Sequence, residues 1–211
     1  MKSLLFALAL LVAVLAIYPF LERSGDPEAL TGLPWQIEIL TDGSTKVFAL
    51  HLGNSKLSDA TKLLGDDMEV AIIAASNAPG RLEMYFRSYR AGLLSGKIIL
   101  NTNASDQAIK DWRRNAIKSD YVATGRAKKY FLSEHDLVTA LDEVITGITF
   151  IPSVNLDEEI IHARFGKPDK REFKGGAEHF IYLRQGLDIA LFKDEKEVLQ
   201  YVVPEKMRET F

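Results

Sequence analysis

The side chains of this chain that could do chemistry are four histidines, two carboxylate pairs and one glycine-flanked lysine. His162 follows Glu158 by one helical turn, and His179 follows Glu178 directly, so each places a nitrogen beside a carboxylate. A His/Glu metal centre needs about three converging ligands, and no recognised spacing supplies them. His51 sits in an apolar strand pattern, which suits a hydrogen-bonded strand-face histidine better than a general base. Glu158-Glu159 belongs to a helix start and Asp66-Asp67 to a turn. Gly92-Leu93-Leu94-Ser95-Gly96-Lys97-Ile98 approximates a phosphate loop. It is one residue short between its glycines, and Ile98 stands where a hydroxyl must hold magnesium. Neither a Gly-x-Ser-x-Gly elbow nor a histidine metalloprotease helix occurs. The reading is therefore a protein without catalytic, metal or cofactor residues.

Two other sets carry a functional expectation. Tyr85, Tyr89, Phe180 and Tyr182, with Arg87, place amphipathic aromatics beside charge on strand patterns, as protein-binding surfaces do. These five are the candidate partner contacts. Lys110, Arg113, Lys118, Arg126, Lys128 and Lys129 fall in a connector where residues 104–130 hold seven Lys or Arg against three Asp. In residues 133–203 the balance reverses, with fourteen Asp or Glu against eight Lys or Arg. The basic set is the candidate membrane-surface patch.

The elements that position these residues follow from periodicity. Residues 35–40 alternate, Asp42-Gly43 supplies a hairpin turn, and 46–52 return as a strand. A helix over 56–64, with Leu57, Ala60 and Leu64 on one face, ends at Gly65. Strands follow at 68–75, 81–89 and 96–101. Ser105 starts a helix with Ile109 and Trp112 inward, residues 121–132 are extended, and Ser133 starts another helix. A strand at 148–151 precedes a helix over 155–165, with Asn155 as its cap and Gly166 as its stop. Four strands complete the pattern, at 169–173, 179–183, 187–192 and 198–203. The helix and meander of the second half repeat those of the first. The fold class expected is thus α+β: an N-terminal transmembrane or signal helix, then two repeated modules, each a helix packed on an antiparallel sheet. The domains are an anchor at 1–23, a linker at 24–32, a first module at 33–103, the basic connector at 104–132 and a second module at 133–211.

Gly53-x-Ser55-x-x-x-Asp59-x-x-x-x-Leu64-Gly65, and Phe165-Gly166-Lys167-Pro168 before a Tyr182-bearing strand, resemble the BamE (SmpA/OmlA) family, over about 50 residues in each half. That family shares its helix-on-sheet fold with the β-lactamase inhibitory protein. The resemblance implies a binding or assembly role in the cell envelope. Two features depart from the family: this chain has no cysteine for an N-terminal lipid anchor, and a strand pattern separates its two C-terminal helices.

Residues 4–21 are eighteen positions without a charge, preceded by Lys2. Such a run nearly spans the ~30 Å hydrocarbon layer as a helix. It predicts a single-pass inner-membrane anchor with the N-terminus cytoplasmic and the body periplasmic. Val14-Leu15-Ala16 offers the alternative, a leader cleaved to release the body to the periplasm. The formal net charge of −3 argues against nucleic-acid binding, and nucleotide binding is not expected. The function expected is a membrane-anchored, non-enzymatic module binding an envelope protein. The alternative is an exported hydrolase or ligand-binding enzyme whose site assembles only in three dimensions.

Overall fold

The computed structural model describes residues 31–210 apart from 76, 77, 93, 123 and 124. The anchor and most of the linker expected at 1–32 lie outside the described residues. No described helix is long and apolar enough to cross a membrane.

Gly32–Phe211 form one compact unit, and this corrects the expectation of two helix-on-sheet modules. Most of the unit is β-structure. Short strands β1 (Glu38–Ile39), β2 (Thr45–Val47) and β3 (Leu50–His51) make a small antiparallel sheet. The other ten strands are β4 (Met68–Ala75), β5 (Arg81–Ala91), β6 (Leu94–Thr102), β7 (Lys118–Tyr121), β8 (Ala127–Phe131), β9 (Ile145–Pro152), β10 (Lys170–Lys174), β11 (Ala177–Tyr182), β12 (Leu187–Phe192) and β13 (Val198–Val202). They form a single sheet of order β10-β11-β12-β13-β9-β6-β5-β4-β8-β7. The joint is β9, which pairs antiparallel with β6 on one side and β13 on the other. What was read as the entry strand of a second module is the central strand of a shared sheet.

Register explains why the halves fuse. Tyr182, Leu187, Tyr201, Ile148, Leu100, Met84 and Val70 stand opposite one another in a row across seven strands. Every one of them is buried. The neighbouring row, Ile181, Asp188, Gln200, Thr149, Ile99, Tyr85 and Glu69, points to the other face, where Ile181 and Asp188 are buried, Gln200 is exposed and the remaining four are half-buried. A continuous apolar stripe on one face requires one continuous cover.

That cover includes the small sheet and the helices that carry Leu57, Ile109, Ala140 and Ile161. Phe48, at the β2–β3 turn, is 1% exposed. Its ring meets those of Tyr89, Phe150 and Tyr201 at 5.3, 5.4 and 5.7 Å. These partners come from β5, β9 and β13, on both sides of the joint. Phe48 and Ala49 have φ of +53° and +62°, so one expected strand over 46–52 folds into two. A two-residue hairpin of this kind normally uses Asn-Gly; here burial of the Phe48 ring offsets the backbone cost. Tyr89 and Tyr201 donate hydrogen bonds to the Gly32 and Pro34 carbonyls at 2.8 and 2.9 Å, fixing the start of the unit.

Five short helices complete the described chain: α1 (Leu57–Leu64), α2 (Asp106–Arg114), α3 (Glu134–Ala140), α4 (Glu158–Phe165) and α5 (Pro204–Thr210). Ser105 and Ser133 accept from the Ala108 and Asp136 N–H groups, as expected of N-caps. The cap of α4 is Asp157, which accepts from Ile160 N–H at 2.8 Å, and not Asn155, whose side chain accepts from Lys196 instead. Helix α1 is tied to the segment after α3. Leu57 and Ser58 N–H groups donate to the Glu143 and Leu141 carbonyls, and Lys56 pairs with Asp142 at 2.9 Å.

Candidate functional site

Strand β12 reads Leu-Asp-Ile-Ala-Leu-Phe, and its one charged residue, Asp188, is 8% exposed. Its neighbour on the same face is His179 of β11, whose Nδ1 lies 2.9 and 3.0 Å from the two carboxylate oxygens. The His179 Nε2 lies 3.2 Å from the Lys174 carbonyl. Burial pushes the Asp188 carboxyl above its ordinary value, opposed by the hydrogen bond from His179. Helix α5 packs over this part of the sheet through the buried Pro204 and Met207. Between helix and sheet is a hollow of about 620 Å³, a size that accommodates small ligands or a side chain of a partner.

Phe192, Val202 and Met207 give the hollow an apolar floor; Glu172, His179, Asp188 and Gln200 line its side. Glu172 is held by Lys170 at 2.8 Å, and Asp188 by His179. Lys174 and Lys206, both exposed, stand at the rim with no ion-pair partner among the described residues. The lining thus carries two lysines and two carboxylates, and the charge of Lys174 acts on both Glu172 and Asp188. Both ring nitrogens of His179 face oxygen acceptors, so neither is an unengaged base for a substrate proton.

A second constellation occurs on the small sheet. Ser44 Oγ lies 2.7 Å from His51 Nε2, and Asn54 Nδ2 lies 3.3 Å from Nδ1. The types match a nucleophile, a base and an orienting group. Ser44 Oγ, however, donates to Asp42 at 2.5 Å. Hydrogen bonds from the Ser44 side chain and backbone hold the Asp42 carboxyl below its ordinary value. With its proton committed to that carboxylate, Ser44 presents a lone pair to His51, and the group acts as a hairpin lock. His162 approaches Glu158 at 3.5 Å and packs edge-on to Phe180. No group of three or more described His, Asp or Glu residues is placed to hold a metal ion.

No protein-family model, curated protein or solved structure matches the chain. The likeness to the BamE family accordingly rests on the motif pattern alone.

The expected partner contacts separate in space. Phe180 and Tyr182 are buried, at 0% and 1% exposure. Tyr182 donates to the Gly166 carbonyl at 3.0 Å, and burial pushes its hydroxyl up to about 12. Tyr89 is taken up by Phe48, Phe150 and the Gly32 carbonyl. Tyr85 is half-buried on the more accessible sheet face, and Arg87 is exposed. The expected patch is thus not one surface: three of its aromatics serve packing. The basic set also divides. Lys118 pairs with Asp120 at 2.6 Å and Lys129 with Glu69 at 2.5 Å, and Lys110 is exposed on α2. Arg113, Arg126 and Lys128 converge elsewhere.

Sequence reasoning considers His179 only beside Glu178 and does not single out Asp188, Lys206 or Met207. One signal for Asp188 was present: an acidic residue interrupting an otherwise apolar strand is solvated only if a partner is brought to it. Helix α5 offered Pro204 at its first turn, but only one later apolar side chain, Met207, marks its buried face.

Proposed function

We propose that this protein is a non-catalytic binding module of the cell envelope, tethered to the inner membrane through residues 4–21, whose body outside the cytoplasm binds another protein. The observation that carries the reading is the composition of the hollow beneath α5. Its histidine and aspartate satisfy one another, while its apolar floor and two unpaired rim lysines are left for a ligand. An apolar side chain flanked by a carboxylate on a partner segment would fill the floor and meet Lys174 and Lys206. Burying an anchor side chain in such a pocket is how a few residues come to dominate an interface.

The test is site-specific photo-crosslinking of the full chain in membranes. A photoreactive residue at Lys206 should give a discrete protein adduct. The adduct should disappear when Met207→Asp is added, while a probe at exposed Lys62 on α1 gives none. Equal yields at 206 and 62, or an adduct indifferent to Met207→Asp in a variant that still folds, would overturn the reading.

The hydrolase alternative has one observation in its favour, the half-buried His179 against Asp188. It requires the Nε2 to leave the Lys174 carbonyl. A pH-dependent turnover of ester or amide substrates that vanishes in His179→Gln would favour it over the binding reading.

A further inference from the structure

On β7 and β8 the two faces of the sheet carry different charge balances. Strand alternation sends Lys118, Asp120, Lys129 and Glu69 to one face, where they form the ion pairs given above. It sends Tyr121, Lys128 and Tyr130 to the other. There Arg113 arrives from α2 and Arg126 from the turn before β8. With Ala74, Ala75 and Ala127 these residues line a hollow of about 250 Å³ that no carboxylate borders among the described residues.

Two of the three cations, Arg113 and Lys128, are held in place by groups that do not neutralise them. Arg113 Nη1 donates to the Ala78 and Pro79 carbonyls at 2.9 and 2.7 Å, and its guanidinium lies 4.8 Å from the Tyr130 ring centroid. The Lys128 ammonium lies 4.8 Å from the Tyr121 ring centroid. Arg113, Arg126 and Lys128 form no ion pair with a described residue. Three like charges around a small hollow repel one another, and an anion between them removes that cost. The short side chain of Ala74, on the same face as Lys128 and Tyr130, leaves the space open. Guanidinium forks beside an ammonium match a compact anion of several oxygens better than a single carboxylate. At 250 Å³ the hollow is below the about 300–1,000 Å³ of pockets for larger ligands, which suits a phosphate with a small substituent.

We propose that the hollow of Arg113, Arg126 and Lys128 is a binding site for a phosphate group carrying a small substituent, from a soluble phosphate ester or from a phospholipid headgroup. The site lies apart from the hollow under α5 and does not depend on the reading of that one. If the phosphate belongs to a lipid, the contact fixes which side of the body faces the membrane.

The test is calorimetric titration of the full chain in zwitterionic micelles with inorganic phosphate, glycerol 3-phosphate and short-chain phosphatidic acid. Saturable binding is expected, weakened at least tenfold in the double variant Arg126→Gln, Lys128→Gln. Less than a twofold change is expected in Lys97→Gln, Lys167→Gln, which removes the same charge from exposed positions elsewhere. Ala74→Leu, on the face shared by Lys128 and Tyr130, keeps every charge and fills the hollow, and it should also abolish binding. Phosphatidic acid binding at least tenfold tighter than glycerol 3-phosphate assigns the site to a headgroup; equal affinities assign it to a soluble ester. Absence of saturable binding by all three, equal weakening in the two double variants, or undiminished binding in a folded Ala74→Leu protein would overturn the proposal.

Discussion

Replacing Phe48 with alanine tests whether the unit has one core or two. The side chain is 1% exposed and its ring touches aromatic residues of β5, β9 and β13. Truncating a buried Phe costs about 3–5 kcal/mol through lost transfer energy and the cavity left behind. The upper part of that range applies, because three ring contacts worth about 0.5–1.5 kcal/mol each are lost with it. For a domain of this size, 1 kcal/mol shifts Tm by about 2–4 °C, so Tm should fall by roughly 8–20 °C. The discriminating assay is native-state hydrogen exchange. In a shared core the slowest amides of β4–β6 and of β11–β13 exchange through the same global opening. A loss of about 4 kcal/mol should speed both sets by roughly a thousandfold. Phe48→Leu should show the same pattern with a smaller factor. If β11–β13 keep their protection while β4–β6 lose theirs, the halves unfold separately and the single-core argument fails.

Three further outcomes follow from local geometry. Ala49→Gly should raise stability by about 0.5–1 kcal/mol in urea unfolding, since an exposed alanine at φ +62° bears a left-handed cost that glycine lacks; a loss would mean that chain entropy dominates there. Gly96→Ala should cost about 1–3 kcal/mol, because a Cβ at Gly96 would lie 2.6 Å from the Ile151 carbonyl and run into the Phe150 ring; an unchanged Tm would show that this part of β6 can shift. The hydrogen bond from Arg171, with its charge, holds the Glu158 carboxyl below the usual glutamate value. That contribution to stability is present above the unfolded glutamate pKa and is lost as pH falls through the lowered value. In a carboxyl NMR titration Arg171→Gln should move the Glu158 midpoint upward, and no movement would dismiss the pair.

Local elements were legible because their signals are local. Strands 68–75 and 187–192 carry their own apolar runs, and Ser105 and Ser133 announce the starts of α2 and α3. The joining of the halves was not legible. Pairing of β9 with both β6 and β13 depends on which buried stripes align, and nothing in 145–152 alone states that it has two neighbours. The hairpin at Phe48-Ala49 was hidden for a different reason. Neither residue favours positive φ, and tertiary burial of one ring overrides local preference. Repetition of helix and meander was read as two bodies because periodicity reports faces, and both halves present theirs to the same interior. Of the candidate site, His179 was visible as a residue. Its partner, nine positions on and across a hairpin, became a partner only through register.

The central position of β9 has a consequence for how the chain is made. When residues up to Thr102 have been synthesised, β4, β5 and β6 can already form a meander, but the outer edge of β6 has no neighbour. That edge, with Ile98, Ile99 and Leu100 along it, stays open through the synthesis of α2, β7, β8 and α3, until Ile145–Pro152 appears. An uncovered apolar strand edge is a template for pairing with other chains. Pairing over such sequence separation is slow compared with local contacts. The nascent protein is therefore most vulnerable to self-association in the interval between Thr102 and Ile145, and a chain truncated before β9 should aggregate even though its first meander is complete.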